Sequence, residues 1–332
     1  MTALVTAYRG VVCDLDGVVY RGPAAVPRAI EALSSLPVPI VYATNNASRP
    51  PSDVAAHLVH LGLSLDPARV VNSSMAGAAE LAATLAPGAQ VLAVGGDGVA
   101  DALSRAGLAP VRVASHPVAA VLQGYGPQVT AADLAEAAYA IEQGARWVAT
   151  NTDLTLPTDR GVAPGNGSLV QCVAHATGQQ PLVVGKPYAP LYLMSAQVLG
   201  LDPAHVLAVG DRLETDIRGA YAAGMASALV LTGVHGAQDA ARADVPDRPT
   251  YVIGQLGELL EPYAGVQRQD GAYRCGATTV RIEDGRLVIE RATLGAAIET
   301  IRAGLAAIWS ARDAGLSAEQ TSALAAELPD RC

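Results

Sequence analysis

The sequence predicts an α/β protein built on a parallel sheet, and two observations carry that prediction. Short apolar runs typical of strands alternate with segments of helical periodicity along most of the chain, which is the pattern of βαβ units with right-handed crossovers. Several of these runs end in polar residues, and an open parallel sheet binds its ligands at the carboxyl ends of its strands. With 332 residues, the chain is long enough for two or three domains.

Composition and charge narrow the class of protein. The net charge is −9 and there is no basic run, so we expect no nucleic-acid partner. No apolar run is long enough to span a bilayer, and the first residues do not resemble a secretory signal. The four cysteines form no Cys-x-x-Cys pair, which predicts neither a zinc site nor a disulfide framework. We therefore expect a cytoplasmic protein without a membrane partner.

The first third of the chain alternates strands and helices. The opening apolar run ends at Asp14, a helix is predicted over 27–36, and a strand is predicted over 39–43. Ser52 is expected to cap the following helix, and Gly62 is expected to end it. These elements form the first βαβ unit of the predicted sheet.

A second α/β series is predicted between Pro87-Gly88 and residue 182. The segment 95–98 lacks the full Gly-x-Gly-x-x-Gly spacing, which favours a strand-to-helix turn over a dinucleotide loop. The segment 151–168 is a long loop, and such loops are usually functional or disordered. Its end at 164–168 either cradles an anion with backbone N–H groups or turns into a capped helix. The predicted strands and helices of this series are 90–94, 98–107, 117–123, 130–144 and 146–150.

The alternation of predicted strands and helices seen in the first third of the chain then resumes. A strand at 182–184 leads to Lys186, the only lysine of the chain, and a strand at 205–209 leads to Asp211. The remaining predicted elements are a helix to Gly200, a helix to Gly224, and strands at 228–231 and 250–253.

The sequence pattern changes near residue 263, which marks the start of a C-terminal segment. Period-two alternation on both sides of Asp284-Gly285 predicts a hairpin. Ser317 begins a capping-box pattern before a last short helix. The segment is either a tail docked on the main body or a module for binding or dimerisation. One face of the intervening helix is predicted to carry Leu294, Ile298, Ile301, Leu305 and Ile308.

Four predicted strands end in polar groups: Asp14 with Asp16, Thr44 with Asn45, Lys186, and Asp211. Because the carboxyl ends of parallel strands share one edge, we expect these groups to converge on a single pocket. Hydrolysis of a phosphate monoester needs such a set. Carboxylates hold Mg²⁺, an aspartate nucleophile divides the reaction into two steps, and a nearby carboxyl moves protons.

Each group has a place in that chemistry. Asp14 would attack phosphorus, Asp16 would be the general acid and base, and Lys186 would offset negative charge. Thr44 and Asn45 offer hydrogen-bond donors to phosphate oxygens. Each pattern is also compatible with an ordinary turn, helix cap or surface residue. It is the shared order and strand-end placement that favour one mechanism.

These residues resemble the four motifs of the haloacid-dehalogenase superfamily phosphatases. The fourth motif and the Thr-Asn-Asn triplet resemble the 4-nitrophenylphosphatase branch, which includes phosphoglycolate, glycerol 3-phosphate and pyridoxal phosphatases. The resemblance covers roughly residues 8–260. The matching segments are Asp14-Leu15-Asp16-Gly17-Val18-Val19-Tyr20, Thr44-Asn45-Asn46, Gly185-Lys186-Pro187 and 210–217.

The resemblance implies a domain organisation. It predicts a Rossmann-like core over 1–83 and 183–262, with an α/β cap domain of the C2 type inserted at 84–182. The cap loop 151–167 resembles the segment that selects substrate in this family. The remaining 263–332 would be a small α+β extension, similar to one on actinobacterial members taken to be glycerol 3-phosphate phosphatases.

The resemblance also implies residue roles. Asp14 would be the nucleophile, and Asp16 would be the acid and base, with its backbone carbonyl also touching Mg²⁺. Asp14 and Asp211 would be carboxylate ligands of Mg²⁺, and Asp216 would support them from behind. The substrate phosphate would be bound by Thr44, Asn45, Asn46 and Lys186.

We therefore expect a cytoplasmic, Mg²⁺-dependent phosphatase that acts on a small polyol phosphate, with glycerol 3-phosphate as the first choice. Phosphoglycolate and pyridoxal phosphate are alternative substrates, and a sugar-phosphate mutase is an alternative enzyme. A catalytically silent sensor of a phosphorylated ligand is the alternative from another class. Caps of this family often mediate dimers, so a homodimer is a further expectation.

Overall fold

The computed structural model describes residues 2–114, 116–158, 160–291 and 297–332. Within these ranges, no helix combines the length and the apolar character needed to cross a bilayer. The strands are β1 Gly10–Cys13, β2 Tyr20–Arg21, β3 Ala24–Ala25, β4 Ile40–Thr44, β5 Val70–Asn72, β6 Gln90–Val94, β7 Ala109–Val111, β8 Ala120–Gln123, β9 Arg146–Ala149, β10 Thr155–Thr158, β11 Gly161–Pro164, β12 Leu182–Val183, β13 Val206–Gly210, β14 Ala226–Val230, β15 Tyr251–Ile253, β16 Gln267–Gln269, β17 Ala272–Cys275, β18 Thr278–Glu283 and β19 Arg286–Arg291. The helices are α1 Ala29–Ser34, α2 Pro51–His60, α3 Ser73–Ala82, α4 Asp97–Arg105, α5 Ala131–Glu142, α6 Asn166–Thr177, α7 Ala189–Leu199, α8 Arg218–Ala222, α9 Ala237–Arg242, α10 Ala297–Asp313 and α11 Ala318–Ala326.

The chain divides into two compact units. One consists of Met1–Pro39 together with Ala204–Cys332, and the other is Ile40–Pro203. Both are parallel-sheet α/β structures, which confirms the predicted fold class. The domain borders predicted at 84, 183 and 263 stay predictions.

The sheet of the first unit brings two of the predicted strand ends together. Strands β15, β14, β13 and β1 are parallel and neighbour one another in that order. Cys13 pairs with Val209, and the Asp14 N–H donates to the Val209 carbonyl at 2.9 Å. Every residue of β1 and β13 is buried, as expected for strands covered on both faces. The residues that follow these two strands therefore emerge side by side.

The second unit contains a parallel pair, β4 and β5, and a five-stranded sheet in the order β12, β9, β8, β6, β7. The segment 95–98 joins β6 to α4, with Gly95 at a φ of +137°. The predicted strand-to-helix turn is therefore confirmed. Part of the predicted long loop is the antiparallel hairpin of β10 and β11.

The helix cap predicted at Ser52 is wrong. Helix α2 begins at Pro51 with Pro50 as its N-cap, so Ser52 lies inside the helix and does not cap it. Proline is well suited to this first position because its missing N–H would have no partner in the first turn. Gly62, with a φ of +107°, follows the end of the helix as predicted.

The C-terminal segment contains more β-strands than predicted. The hairpin of β18 and β19 is confirmed, with Asp284 and Gly285 both at positive φ as a type I′ turn requires. Strands β17 and β16 extend it to a four-stranded antiparallel sheet. The capping box at Ser317 is confirmed. The predicted position of Leu294 lies outside the described residues.

The C-terminal segment packs on the core of the first unit. The α10 side chains of Ile301, Leu305 and Ile308 are buried in one cluster with Leu229 of β14 and Ala240 of α9. Polar contacts add to this packing. Arg248 and Asp313 form two hydrogen bonds of 2.8 Å, Arg302 donates to the Val252 carbonyl at 2.9 Å, and Arg302 pairs with Glu258 at 2.8 Å. This packing agrees with the first predicted alternative, a tail docked on the main body. A role of the segment in binding or dimerisation stays a prediction.

Candidate active site

Three aspartates of the first unit form a group that can hold a metal ion. Asp14, Asp211 and Asp216 each offer one carboxylate oxygen, and these oxygens all lie within 4.8 Å of one another. Asp211 and Asp216 are buried, and Asp14 is half-buried. Carboxylate oxygens are the ligands that hard cations such as Mg²⁺ and Ca²⁺ prefer. The structure thus brings Asp14 and Asp211 together as predicted, and Asp216, predicted to support them, joins the same group.

Neighbouring strands and backbone donors position these carboxylates. Asp14 follows β1, and Asp211 follows β13. The Val234 N–H donates to Asp211 Oδ2 at 2.8 Å, and the Arg212 N–H donates to Asp216 Oδ2 at 3.1 Å. These N–H groups hold one oxygen of each carboxylate in a fixed direction, which preorganises the group for a cation.

Two glycines lie against this group. A Cβ atom added to Gly17 would lie 2.2 Å from Asp211 Oδ2, and one added to Gly210 would lie 2.2 Å from the Cβ of Asp216. Atoms this close overlap, so any side chain at either position would displace a carboxylate. Both glycines belong to the motifs noted in the sequence.

Asp16 occupies a tight turn beyond β1. Leu15 is buried, whereas Asp16 is exposed. Gly17 has a φ of +90°, and its N–H donates to the Tyr20 carbonyl at 2.8 Å. The side chain of Asp16 is not part of the carboxylate group that the described residues form. An exposed carboxyl two residues from Asp14 suits the predicted proton-transfer role, which stays a prediction.

In the second unit, Asn45 fixes the backbone of Lys186. Its Oδ1 accepts from the Lys186 N–H at 2.8 Å, and its Nδ2 donates to the Lys186 carbonyl at 3.1 Å. Thr44, which ends β4, is buried, and its Oγ1 accepts from the Asn46 N–H at 3.0 Å. Asn46 is exposed, and its Oδ1 accepts from Ser48. The contact of Asn45 with Lys186 is a positioning role that the sequence did not indicate. Phosphate binding by Thr44, Asn45 and Asn46 stays a prediction.

Lys186 is itself a buried cation. Its side chain is only 3% exposed, and its Nζ lies 5.8 Å from the centre of the Tyr192 ring. A Cβ on Gly185 would lie 2.2 Å from the Thr150 carbonyl and 2.7 Å from Asn45 Oδ1. Glycine is therefore required at position 185, because any side chain there would overlap the Thr150 carbonyl and the Asn45 side chain.

The segment predicted to select substrate is anchored to Asn45. Asp153 Oδ2 accepts from Asn45 Nδ2 at 3.2 Å, and Asn151 Nδ2 donates to the Asn45 carbonyl at 2.8 Å. The N–H groups of Gly165 and Gly167 donate to the carbonyls of residues 154 and 153. These two N–H groups are therefore used within the turn that leads into α6, whose N-cap Gly165 makes no side-chain hydrogen bond. Anion binding by the other N–H groups of 164–168 stays a prediction. Asp153 was missed because no motif marks it.

The family comparison agrees with this site. The family model described as haloacid dehalogenase-like hydrolase matches residues 11–109, and a second model, described as HAD-hydrolase-like, matches residues 183–259. The D-glycerol 3-phosphate phosphatase of Mycobacterium tuberculosis is 42% identical over 324 residues, which cover 95% of this chain and 90% of that protein. The chain belongs to the haloacid dehalogenase-like hydrolases.

Solved structures give the same relationship. The chain is similar to the magnesium-bound crystal structure of glycerol phosphate phosphatase from M. tuberculosis, with a TM-score of 0.86, 39% identity and 93% of each chain covered. It is also similar to p-nitrophenyl phosphatase from Archaeoglobus fulgidus, with a TM-score of 0.71 and 28% identity, over 76% of this chain and 98% of that one. The acid sugar phosphatase of Staphylococcus aureus is 35% identical over 76% of this chain and 97% of its own length.

Proposed function

We propose that this protein is a Mg²⁺-dependent phosphate monoester hydrolase that converts glycerol 3-phosphate to glycerol and phosphate. The observation that carries the proposal is a group of three carboxylates, two of which follow the ends of neighbouring parallel strands. Such a site combines a nucleophile with a place for a hard cation. The Mycobacterium relative, named for D-glycerol 3-phosphate, supports the substrate.

The donor set fits a magnesium ion. Asp14 and Asp211 would hold it through carboxylate oxygens, the residue 16 carbonyl would add a further ligand, and Asp216 would support the site. All of these donors are hard oxygens, and no thiol or imidazole belongs to the group that the described residues form. When bound, Mg²⁺ supplies positive charge that screens the phosphate from the anionic nucleophile.

The chain's own residues carry the two chemical steps. An Asp14 oxygen attacks phosphorus and the bond from phosphorus to the glycerol oxygen breaks, while Asp16 gives its proton to the departing alkoxide. Asp14 then carries the phosphoryl group as a mixed anhydride. Asp16, now a carboxylate, takes a proton from a water molecule that attacks phosphorus. The bond from phosphorus to Asp14 breaks, which releases phosphate and restores both aspartates.

The proposed ligands of the substrate phosphate are Lys186, Thr44, Asn45 and Asn46. Lys186 supplies a compact positive charge, and its burial strengthens that charge's effect because little water screens it. Thr44, Asn45 and Asn46 would supply donors from side chains and backbone. The hydrogen bonds from Asn45 to the Lys186 backbone hold this cation in one position, which favours a preorganised site.

The share of the chain that each relative matches favours glycerol 3-phosphate over a sugar phosphate as the substrate. The Mycobacterium enzyme matches 95% of this chain, whereas the S. aureus acid sugar phosphatase leaves about a quarter of it outside the match. We propose that residues 84–182 form the cap and that the loop 151–167 limits the size of the leaving group. The same proposal includes a cytoplasmic location, a role in glycerophospholipid recycling and a homodimer.

A substrate panel tests the proposal. Phosphate release is measured with Mg²⁺ from glycerol 3-phosphate, phosphoglycolate and pyridoxal phosphate, with the nitrophenyl ester as a general reporter. We expect the highest kcat/KM for glycerol 3-phosphate. Faster release from phosphoglycolate or pyridoxal phosphate would overturn the substrate assignment. A second phosphorylated product without free phosphate would indicate a mutase, and no turnover of any ester would favour the sensor.

A further inference from the structure

The loop between β14 and α9, residues 231–236, holds Asp211 from one side. The Val234 N–H donates to Asp211 Oδ2 at 2.8 Å, and the His235 N–H donates to the Asp211 backbone carbonyl at 3.1 Å. A Cβ on Gly233 would lie 2.1 Å from Asp211 Oδ2. Both the carboxylate and the main chain of Asp211 are therefore set by the position of this loop.

Arg331 of the C-terminal segment binds the opposite side of the same loop. Its Nη1 donates to the Leu231 carbonyl at 2.6 Å and to the Gly233 carbonyl at 2.8 Å. Its Nη2 donates to the Val234 carbonyl at 3.0 Å. The guanidinium group is a planar, rigid fork of donors, so one side chain fixes the directions of three carbonyls.

Two peptide units connect Arg331 to Asp211 directly. The Gly233 carbonyl and the Val234 N–H belong to one peptide unit, and the Val234 carbonyl and the His235 N–H belong to the next. Each unit is planar, so the direction of its carbonyl determines the direction of its N–H. In both units the carbonyl lies on Arg331 and the N–H lies on Asp211. The positive charge at the carbonyl end also strengthens the N–H as a donor, because hydrogen bonds in a chain polarise one another.

The residues before Arg331 are anchored to the start of α9. The Ala237 N–H donates to the Asp330 carbonyl at 2.9 Å, and the Gln238 N–H donates to Asp330 Oδ1 at 3.1 Å. Gln238 Nε2 donates to the Leu328 carbonyl at 3.2 Å. These hydrogen bonds hold the backbone next to Arg331 against the start of α9, which directly follows the loop 231–236.

We propose that Arg331 is a positioning residue for Asp211, and that the C-terminal segment thereby completes the metal site. The inference rests on the proposed function in one respect, namely that Asp211 is a ligand of Mg²⁺. Residues that orient a metal ligand from outside typically account for 10- to 100-fold in metal affinity. Loss of the Arg331 fork is therefore expected to weaken Mg²⁺ binding.

The test measures Mg²⁺ binding to the full chain by isothermal titration calorimetry, without substrate. Arg331→Ala is compared with Arg331→Lys and with a matched control, Arg312→Ala. Arg312 anchors the same segment to the Ala243 carbonyl and to Asp244, which both lie outside the loop 231–236. Amide hydrogen exchange of the peptide that contains Val234 is followed in the same variants, in the absence of metal.

We expect Arg331→Ala to raise the dissociation constant for Mg²⁺ by about 10-fold or more and to speed exchange at the loop. Arg331→Lys retains the charge but loses the fork, so an intermediate affinity is expected, and Arg312→Ala should match the wild type. Wild-type affinity and exchange in Arg331→Ala would overturn the inference and leave the proposed function standing. Equal weakening by Arg331→Ala and Arg312→Ala would reduce Arg331 to general docking and also overturn it. A wild-type protein that binds no Mg²⁺ would overturn the proposed function, and the inference with it.

Discussion

Substitution of Gly17 by alanine tests whether the absence of a side chain at this position makes room for the Asp211 carboxylate. Gly17 has a φ of +90°, and an added Cβ would lie 2.2 Å from Asp211 Oδ2 and 2.9 Å from its carboxyl carbon. Ordinary contact begins near 3.4 Å, so the methyl group and the carboxylate must move apart by about 1.2 Å. A displacement of about 1 Å in an active site can lower the rate about 100-fold. The left-handed backbone adds a stability cost of about 1–2 kcal/mol for alanine.

Gly22 supplies the matched control. It also has a positive φ, +57°, but an added Cβ would meet no atom within 4 Å. Gly22→Ala should therefore show only the backbone contribution to the loss in the free energy of unfolding, about 1–2 kcal/mol, with unchanged phosphatase activity. Urea denaturation and kcat/KM at several Mg²⁺ concentrations measure both effects. Equal activities for the Gly17→Ala and Gly22→Ala proteins would refute the argument that Gly17 makes room for the Asp211 carboxylate.

Three further predictions concern the packing of the C-terminal segment, the Lys186 contact and the cysteines. Leu305→Ala should lower the free energy of unfolding by about 2–5 kcal/mol, because Leu305 is buried in the shared core. A separate early transition in the urea curve would instead mean that the segment folds alone. Asn45→Ala removes both hydrogen bonds to the Lys186 backbone and should lower kcat, whereas an unchanged kcat would contradict the positioning role. Burial raises the pKa of the Cys275 thiol, so iodoacetamide at pH 8 should label the exposed Cys172 while the protonated Cys275 stays unlabelled. Mass spectrometry measures this, and equal labelling of the two thiols would contradict it.

The parts of the site that a side chain and a strand end define could be predicted from the sequence. Asp14 and Asp211 each follow a continuous apolar run, and buried parallel strands produce such runs. Their proximity then follows from the parallel topology. The same reasoning predicted Asp216 only as a support, because sequence spacing does not show which way a carboxylate turns within an irregular helical segment such as Leu213–Ile217.

The parts that backbone groups and distant contacts define could not be predicted. Val234 contributes an N–H group, which every residue except proline carries, so its side chain gives no signal. Arg331 lies about a hundred residues from the carbonyls that it binds, and no local pattern encodes such a contact. Strands β16 and β17 are short, and the exposed β16 lacks the apolar alternation that predicts a half-buried strand.

The initial rate of phosphate release from glycerol 3-phosphate decides whether Asp14 and a divalent cation carry out the reaction. It is measured for the wild type and for Asp14→Asn, each with Mg²⁺ and with a chelator, after thermal melting has shown that both proteins are folded. We predict release by the wild type with Mg²⁺ and its loss with the chelator. We also predict a fall of at least about 1,000-fold in Asp14→Asn, because that variant lacks the nucleophile. Undiminished release by folded Asp14→Asn, or release that persists without a divalent cation, would contradict the account.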